Sequence, residues 1–214
     1  MSYPVSDLLT GKAAPFRGAE TSAIAKTPAS GPVRITRLGL DGDEQADRKH
    51  HGGPDMAVHL YPRDHYAAWR DHLGHHALLD APGAFGENLS ASGLVETHAQ
   101  IGDRFRLGSA LLEISQPRKP CWKIEHRFGR KGMVAQIVQT ARCGIYFRVL
   151  EDGIAQAGDV LELVEQGHDG WNLERVFMAL FGANHTARPA DLREIMVLER
   201  LSPELRQRAA KTLG

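Results

Sequence analysis

The chain has 214 residues, 42% of them hydrophobic, enough for one sizeable core with an appendage. Its 26 Lys and Arg balance its 26 Asp and Glu, which argues against bulk binding to nucleic acid or to a membrane while leaving room for local patches. No apolar run reaches transmembrane length, the start Met1-Ser2-Tyr3-Pro4 lacks the features of a signal peptide, and two cysteines make no disulfide framework, so a soluble, reducing, cytoplasmic setting is expected.

Taken in order, residues 11–17 and 22–26 read as short edge strands and turns, punctuated by Gly, Pro and Ser. Residues 32–38 alternate, with Val33 and Ile35 on one side, and predict a strand. The polar stretch from Gly39 to Asp55 holds four glycines and is too long for a tight turn; loops of this kind inside compact domains tend to be functional. Residues 56–61 are apolar and strand-like. Residues 62–73 predict a helix with Tyr66, Trp69 and Leu73 on one face. Residues 104–107 and 110–115 predict a hairpin around Gly108-Ser109. Residues 133–139 predict a helix and 144–150 a strand with Ile145, Phe147 and Val149 on one side, followed by strands at 153–157 and 160–164. Many short strands without strand–helix repetition predict a mainly β protein, a barrel or closed sandwich with a few short helices. The pattern changes near Gly167. Residues 171–181, 189–198 and a segment opened by Ser202-Pro203 predict three helices, so the expected division is a β-barrel domain over 1–166 and an all-α extension over 167–214. Those helices either cover the barrel or form a homodimer contact.

One stretch stands apart: Ser115-Gln116-Pro117-Arg118-Lys119-Pro120-Cys121-Trp122. A helix over 120–128, started by Pro120 and stopped by Gly129, would place Cys121 in its first turn, where the helix dipole and neighbouring cations favour thiolate. From Arg118 to Lys131 six cations face one anion, Glu125, whereas from Glu151 to Asp169 there are six acids and no Lys or Arg. A thiolate is a nucleophile or a soft metal ligand. For zinc, His50, His51 and His59 could join Cys121 or Cys143, but no Cys-x-x-Cys or His-Glu-x-x-His is present. For a hydrolase, His51 or His59 could serve Cys121 as base, with nothing in the sequence to fix the distance. For an anion site, the backbone of Gly52-Gly53 and Gly86 with Arg48, Arg118 and Lys119 could cradle a phosphate, although no Walker or Gly-x-Gly-x-x-Gly motif occurs. Cys143, at the start of an apolar strand, is given no role.

The set Gly39-Leu40-x-Gly42-Asp43-x-Gln45-Ala46-Asp47, His51-Gly52-Gly53-Pro54-Asp55-x-Ala57-Val58, Phe85-Gly86-Glu87-Asn88-Leu89, Gly102-Asp103 and Gln116-Pro117-Arg118-x-Pro120-Cys121 resembles the MOSC-domain family, the molybdenum-cofactor domains related to the C-terminal domain of molybdenum-cofactor sulfurases. The helical tail resembles the three-helix extension of the bacterial branch that confers resistance to 6-N-hydroxylaminopurine. The resemblance implies a MOSC-type β-barrel holding molybdenum–molybdopterin, with no need of pyridoxal phosphate. It places the metal-ligating, catalytic sulfur on Cys121, Asn88 against the pterin, Ser22 near the cofactor phosphate, and the His51-Gly52-Gly53 loop in the pocket wall. Arg48 and Arg118 would belong to the basic surround of that anionic cofactor. The activity implied is reduction of N-hydroxylated bases, amidoximes and hydroxylamines. The chain has no flavin, haem or iron–sulfur motif, so the electrons would come from a separate reductase protein, a flavoprotein or an iron–sulfur protein. The alternative is a non-catalytic carrier of the cofactor.

Overall fold

The computed structural model describes residues 1–46, 52–182 and 189–214. The strands are β1 (Ser2–Thr10), β2 (Ala14–Arg17), β3 (Glu20–Ser22), β4 (Thr27–Pro28), β5 (Val33–Thr36), β6 (Gly39–Leu40), β7 (Val58–Pro62), β8 (Leu89–Ala91), β9 (Arg104–Leu107), β10 (Ala110–Pro117), β11 (Ile145–Glu151), β12 (Gly153–Ala155) and β13 (Val160–Glu165). The helices are α1 (His65–Leu73), α2 (Trp122–Phe128), α3 (Met133–Thr140), α4 (Leu173–Phe181), α5 (Pro189–Val197) and α6 (Pro203–Leu213). Seven strands, in the order β13-β9-β10-β11-β7-β8-β1, close on themselves through a β1–β13 pairing. The β-barrel and the helical C-terminal segment are as expected.

All neighbours around the barrel are antiparallel except β7 and β8, which run parallel with Leu60 opposite Leu89. A parallel pair needs a crossover, and α1 lies on it. In β11 the alternation read from the sequence is realised, with Ile145, Phe147 and Val149 buried and the residues between them partly exposed. In β5 the same holds for Val33 and Ile35, but the strand stops at Thr36. β7 starts at Val58 because Pro54–Met56 forms a 3-10 turn.

The longest strand, β1, has no counterpart in the sequence reading. Its burial pattern is irregular, it contains Pro4, and its register against β8 shifts between Val5 and Asp7. A bulge of this kind breaks the period-2 signal from which strands are recognised.

One apolar core fills the barrel with Phe105, Leu112, Ile114, Phe147 and Leu161, and continues without interruption into Val176, Leu180, Ile195 and Leu205 of α4 to α6. Helices this short bury little alone and gain stability by joining a larger core. A second cluster lies under α1 to α3. There the Tyr61 and Phe85 rings stack with centroids 3.9 Å apart, and Trp69, Phe128 and Ile137 surround them. No helix among the described residues is long and apolar enough to cross a membrane.

Helix α2 corrects one expectation. It begins at Trp122, and Cys121 is its N-cap residue with extended backbone (φ −138°, ψ 146°). Cys121 contributes only its carbonyl to the helix, accepting from the Ile124 N–H at 3.1 Å. The sulfur is therefore carried by the connection from β10 and not by the first helical turn.

Candidate functional site

The end of β10 delivers Arg118 and Cys121 to a cleft of about 700 Å³, its open mouth included. Ser22 reaches it from the end of β3 and Lys26 from the segment that follows, Asp43 and Gln45 from the turn after β6, His59 from β7, and Tyr146 from β11. Phe85, Gly86 and Asn88 enter from the loop before β8.

That loop is built around a buried carboxylate. Glu87 is completely buried and accepts from Tyr66 Oη at 2.6 Å, from the Gly83 N–H at 2.7 Å and from the Phe85 N–H at 3.0 Å. The Arg127 guanidinium donates to the Ala84 and Gly83 carbonyls at 2.8 and 3.0 Å. The Phe85-Gly86-Glu87-Asn88 signature is thus a self-bonded turn whose charge is satisfied by hydrogen bonds, as a buried carboxylate requires.

Asn88 clamps β1, β7 and the turn after β6. Its Nδ2 donates to the Leu9 carbonyl at 3.2 Å and to Asp43 Oδ2 at 2.8 Å, and its Oδ1 accepts from the His59 N–H at 3.1 Å. Both amide protons are committed to the protein, so toward a ligand Asn88 offers only the remaining lone pair of Oδ1. Asp43 in turn accepts from the Gly11 N–H at 2.8 Å and forms a buried ion pair with Lys26. Burial pulls the Lys26 ammonium below the usual lysine range, the Asp43 carboxylate offsetting part of that effect.

His59 is buried, and its Nδ1 lies 3.3 Å from the Gly86 carbonyl, to which it donates. Burial, with Arg118 nearby, depresses its pKa well below 6.5, so the ring is neutral. Its Nε2 has no hydrogen-bond partner among the described residues. Gly144, at φ +94°, makes room for this ring: a Cβ there would fall 2.5 Å from His59 Nε2. The Gly144 peptide is held at both ends. Its N–H donates to Glu96 at 2.7 Å, and its carbonyl accepts from the Arg118 N–H at 3.1 Å. Glu96 is itself paired with His65 at 2.6 Å. The Arg118 side chain bonds the Tyr146 phenol, whose pKa burial raises.

The structure brings four of the residues singled out from the sequence, Ser22, Asn88, Arg118 and Cys121, into one cleft. Ser22 Oγ accepts from the Ile24 N–H at 3.3 Å. Gly52 is half-buried and lies outside the lining, although the neighbouring Gly53 N–H donates to Gln45 at 3.2 Å. Arg48 and His51 lie outside the described residues. Cys143 is buried in the second core cluster. Lys26, Asp43 and Tyr146 are cleft residues that the sequence does not single out as site residues, whereas His59 is weighed there as a zinc ligand or as a base for Cys121. Gly42-Asp43 was visible within a motif; nothing local marked Lys26 or Tyr146.

The donor set suits an anionic, metal-bearing cofactor. A half-buried cysteine lies with Arg118, Lys123 and Lys26 in a cleft whose acids are Asp43 and Glu44. Lys26 already compensates Asp43, and Lys12 lies 3.2 Å from Glu44. His59 Nε2 leaves a buried acceptor with no protein donor among the described residues. No three His, Cys, Asp or Glu side chains among the described residues are grouped to hold a metal ion. A thiolate at Cys121 suits a soft metal.

Comparison with known proteins decides the family. The sequence model of the MOSC domain matches residues 47–162. The chain belongs to the MOSC domain family. It is 43% identical over 169 residues to Protein YiiM of Escherichia coli (strain K12), covering 79% of this chain and 75% of that one. It is 39% identical over 166 residues to a protein of Gibberella moniliformis named Reductase, a match spanning 76% of this chain but 29% of that one. Among solved structures, YiiM from Geobacillus stearothermophilus superposes with a TM-score of 0.84 at 29% identity, over 99% of this chain and 100% of that chain. The MOSC domain is associated with the molybdenum cofactor in general.

Proposed function

We propose that this MOSC protein is a molybdenum-cofactor-dependent reductase of N-hydroxylated compounds: 6-N-hydroxylaminopurine and related bases, amidoximes and hydroxylamines. The observation that carries the reading is Cys121 in a cleft with Arg118, Lys123 and a buried, protein-paired Lys26. The relative named Reductase supports the reaction class. Cys121 would hold molybdenum through its sulfur, and Arg118 and Lys123 would offset the negative charge of the pterin's phosphate. His59 Nε2 would accept a hydrogen bond from the ligand, and Asn88 Oδ1 could accept another. When bound, the cofactor supplies the redox chemistry that removes oxygen from the N-hydroxyl group. The electrons would come from a separate reductase protein of flavin or iron–sulfur type.

The test is metal analysis and turnover on protein made in cells that synthesise molybdopterin. The expected outcome is near-stoichiometric molybdenum, absent from Cys121→Ala, with consumption of 6-N-hydroxylaminopurine when an electron donor is supplied. Zinc in place of molybdenum, persisting in Cys121→Ala, would overturn the reading. Molybdenum without turnover, given a competent donor, would make the protein a carrier.

A further inference from the structure

We infer that Lys26 is the proton donor of this site, delivering the proton that the oxygen of an N-hydroxylated substrate takes up as it leaves as water. The inference rests on the reductase reading above and adds to it the one component which that reaction needs and which neither Cys121 nor an external electron donor provides. Reduction of an N-hydroxyl group breaks the N–O bond, takes two electrons from the separate reductase protein and consumes two protons, giving the amine and water. One proton comes from Lys26, which solvent then reprotonates. The other comes from solvent directly.

Among the described residues the cleft offers few sources for that proton. His59 is neutral, and its one N–H is turned to the Gly86 carbonyl. Asp43 accepts from the Gly11 N–H, Asn88 Nδ2 and Lys26, so its oxygens serve as acceptors. Glu44 is held ionised by the Ala13 N–H and Lys12. The Tyr146 phenol is a poor donor, because burial raises its pKa. Lys123 lines the cleft half-exposed and in reach of solvent. Lys26 is different. Its side chain is 9% exposed and lines the same cleft as Cys121, and its ammonium is held in place by a carboxylate that is itself fixed from two other sides.

The charges facing Lys26 explain why it can release a proton. Burial disfavours the ammonium, and the Arg118 charge adds to that; Asp43 and, more weakly, Glu87 favour it, and His59 contributes no charge. The balance lowers the lysine toward the working range of a general acid, where proton transfer is most effective. Asp43 keeps the ammonium populated in the resting protein and fixes its direction.

The test compares wild type with Lys26→Arg, which keeps the cation but cannot give up its proton at working pH. Both are made in cells that synthesise molybdopterin, and molybdenum content, the pH profile of kcat and the Nζ resonances of ¹⁵N-lysine-labelled protein are measured. The expected result is unchanged molybdenum in Lys26→Arg and kcat about 100-fold lower. The wild-type profile should fall at alkaline pH as the donor deprotonates, and this limb should vanish in the variant. One Nζ signal, absent from Lys26→Arg, should titrate below the ordinary lysine value of about 10.4. Turnover within threefold of wild type, an alkaline limb that persists in the variant, or loss of molybdenum would each overturn the inference; the last would make Lys26 a seat for the cofactor. Wild type that holds molybdenum but consumes no N-hydroxylated compound would overturn the reductase reading as well, so the two failures are distinct.

Discussion

At the scale of single residues, His59 couples the site to stability through its protonation. Its folded-state pKa lies well below 6.5, so the unfolded chain binds a proton in a range where the folded ring refuses it. The contribution is complete above about pH 6.5 and is lost as the pH falls toward the depressed value, at up to about 1.4 kcal/mol per pH unit. Urea midpoints at pH 7.5 and 5.0 should therefore fall further for wild type than for His59→Gln, and parallel losses in the two proteins would remove His59 as the cause. Cys121, Arg118 and Asn88 were legible because each sits in a recognisable motif. The Lys26–Asp43–Asn88 assembly was not, because its members lie in three segments brought together only by barrel closure. Even for Asn88, the motif named the residue but not its occupation, which is mostly with Leu9, Asp43 and His59.

At the scale of elements, the turn before β8 carries the most consequence for its length. It places Phe85, Gly86 and Asn88 in the cleft, and its shape depends on one carboxylate that accepts three hydrogen bonds. Glu87→Gln replaces one accepting oxygen by a donor that faces other donors. The expected cost is about 2–3 kcal/mol, read as a lower urea midpoint, with Tyr66→Phe costing less because it removes a donor and leaves no buried group facing another. A midpoint for Glu87→Gln equal to wild type would mean that the turn is held by Arg127 alone. Sequence signals worked where an element carries its own punctuation: Ser202 caps α6 with its Oγ 3.4 Å from the Leu205 N–H. They failed at the start of α2, where Pro120 resembled a first helical residue yet the chain stays extended through Cys121.

At the scale of the whole molecule, a partly exposed ionic network centred on the buried Glu113 ties the connection between α5 and α6 to the barrel. Arg148 donates to Glu113 at 2.7 Å, to Asp55 at 2.7 Å and to the Arg200 carbonyl at 2.8 Å. Arg104 reaches Glu113 at 2.7 Å and Glu165 at 2.6 Å, and Arg200 binds Glu165 at 2.5 Å. Asp55 belongs to the Gly52-Gly53-Pro54-Asp55 segment, and the Ser115 hydroxyl donates to its carbonyl at 2.6 Å. The connection between α5 and α6 thereby bears on the loop beside the site. Arg148→Met removes one partner of the buried Glu113 and should destabilise the protein by about 3 kcal/mol, near 10 °C in Tm. Thermal unfolding at wild-type temperature would show that Arg104 and Arg200 suffice. The overall class was legible because strand density and helix caps are local properties. The sequence left open whether the helices cover the barrel or meet a second chain, because joining them into the barrel's core depends on faces that meet only in three dimensions.

The β1–β13 seam has a consequence for how the protein is made. Ser2 pairs with Glu162 and Pro4 with Val160, so β1 must wait for the barrel strand that is last in chain order, β13. At about 5–20 residues per second that wait is of the order of ten seconds, during which residues 2–10 hold apolar side chains and unpaired strand edges without their neighbours. The cleft is completed late as well: Lys26 and Asp43 are synthesised long before Cys121 and Tyr146, so its lining cannot close until β11 has been made.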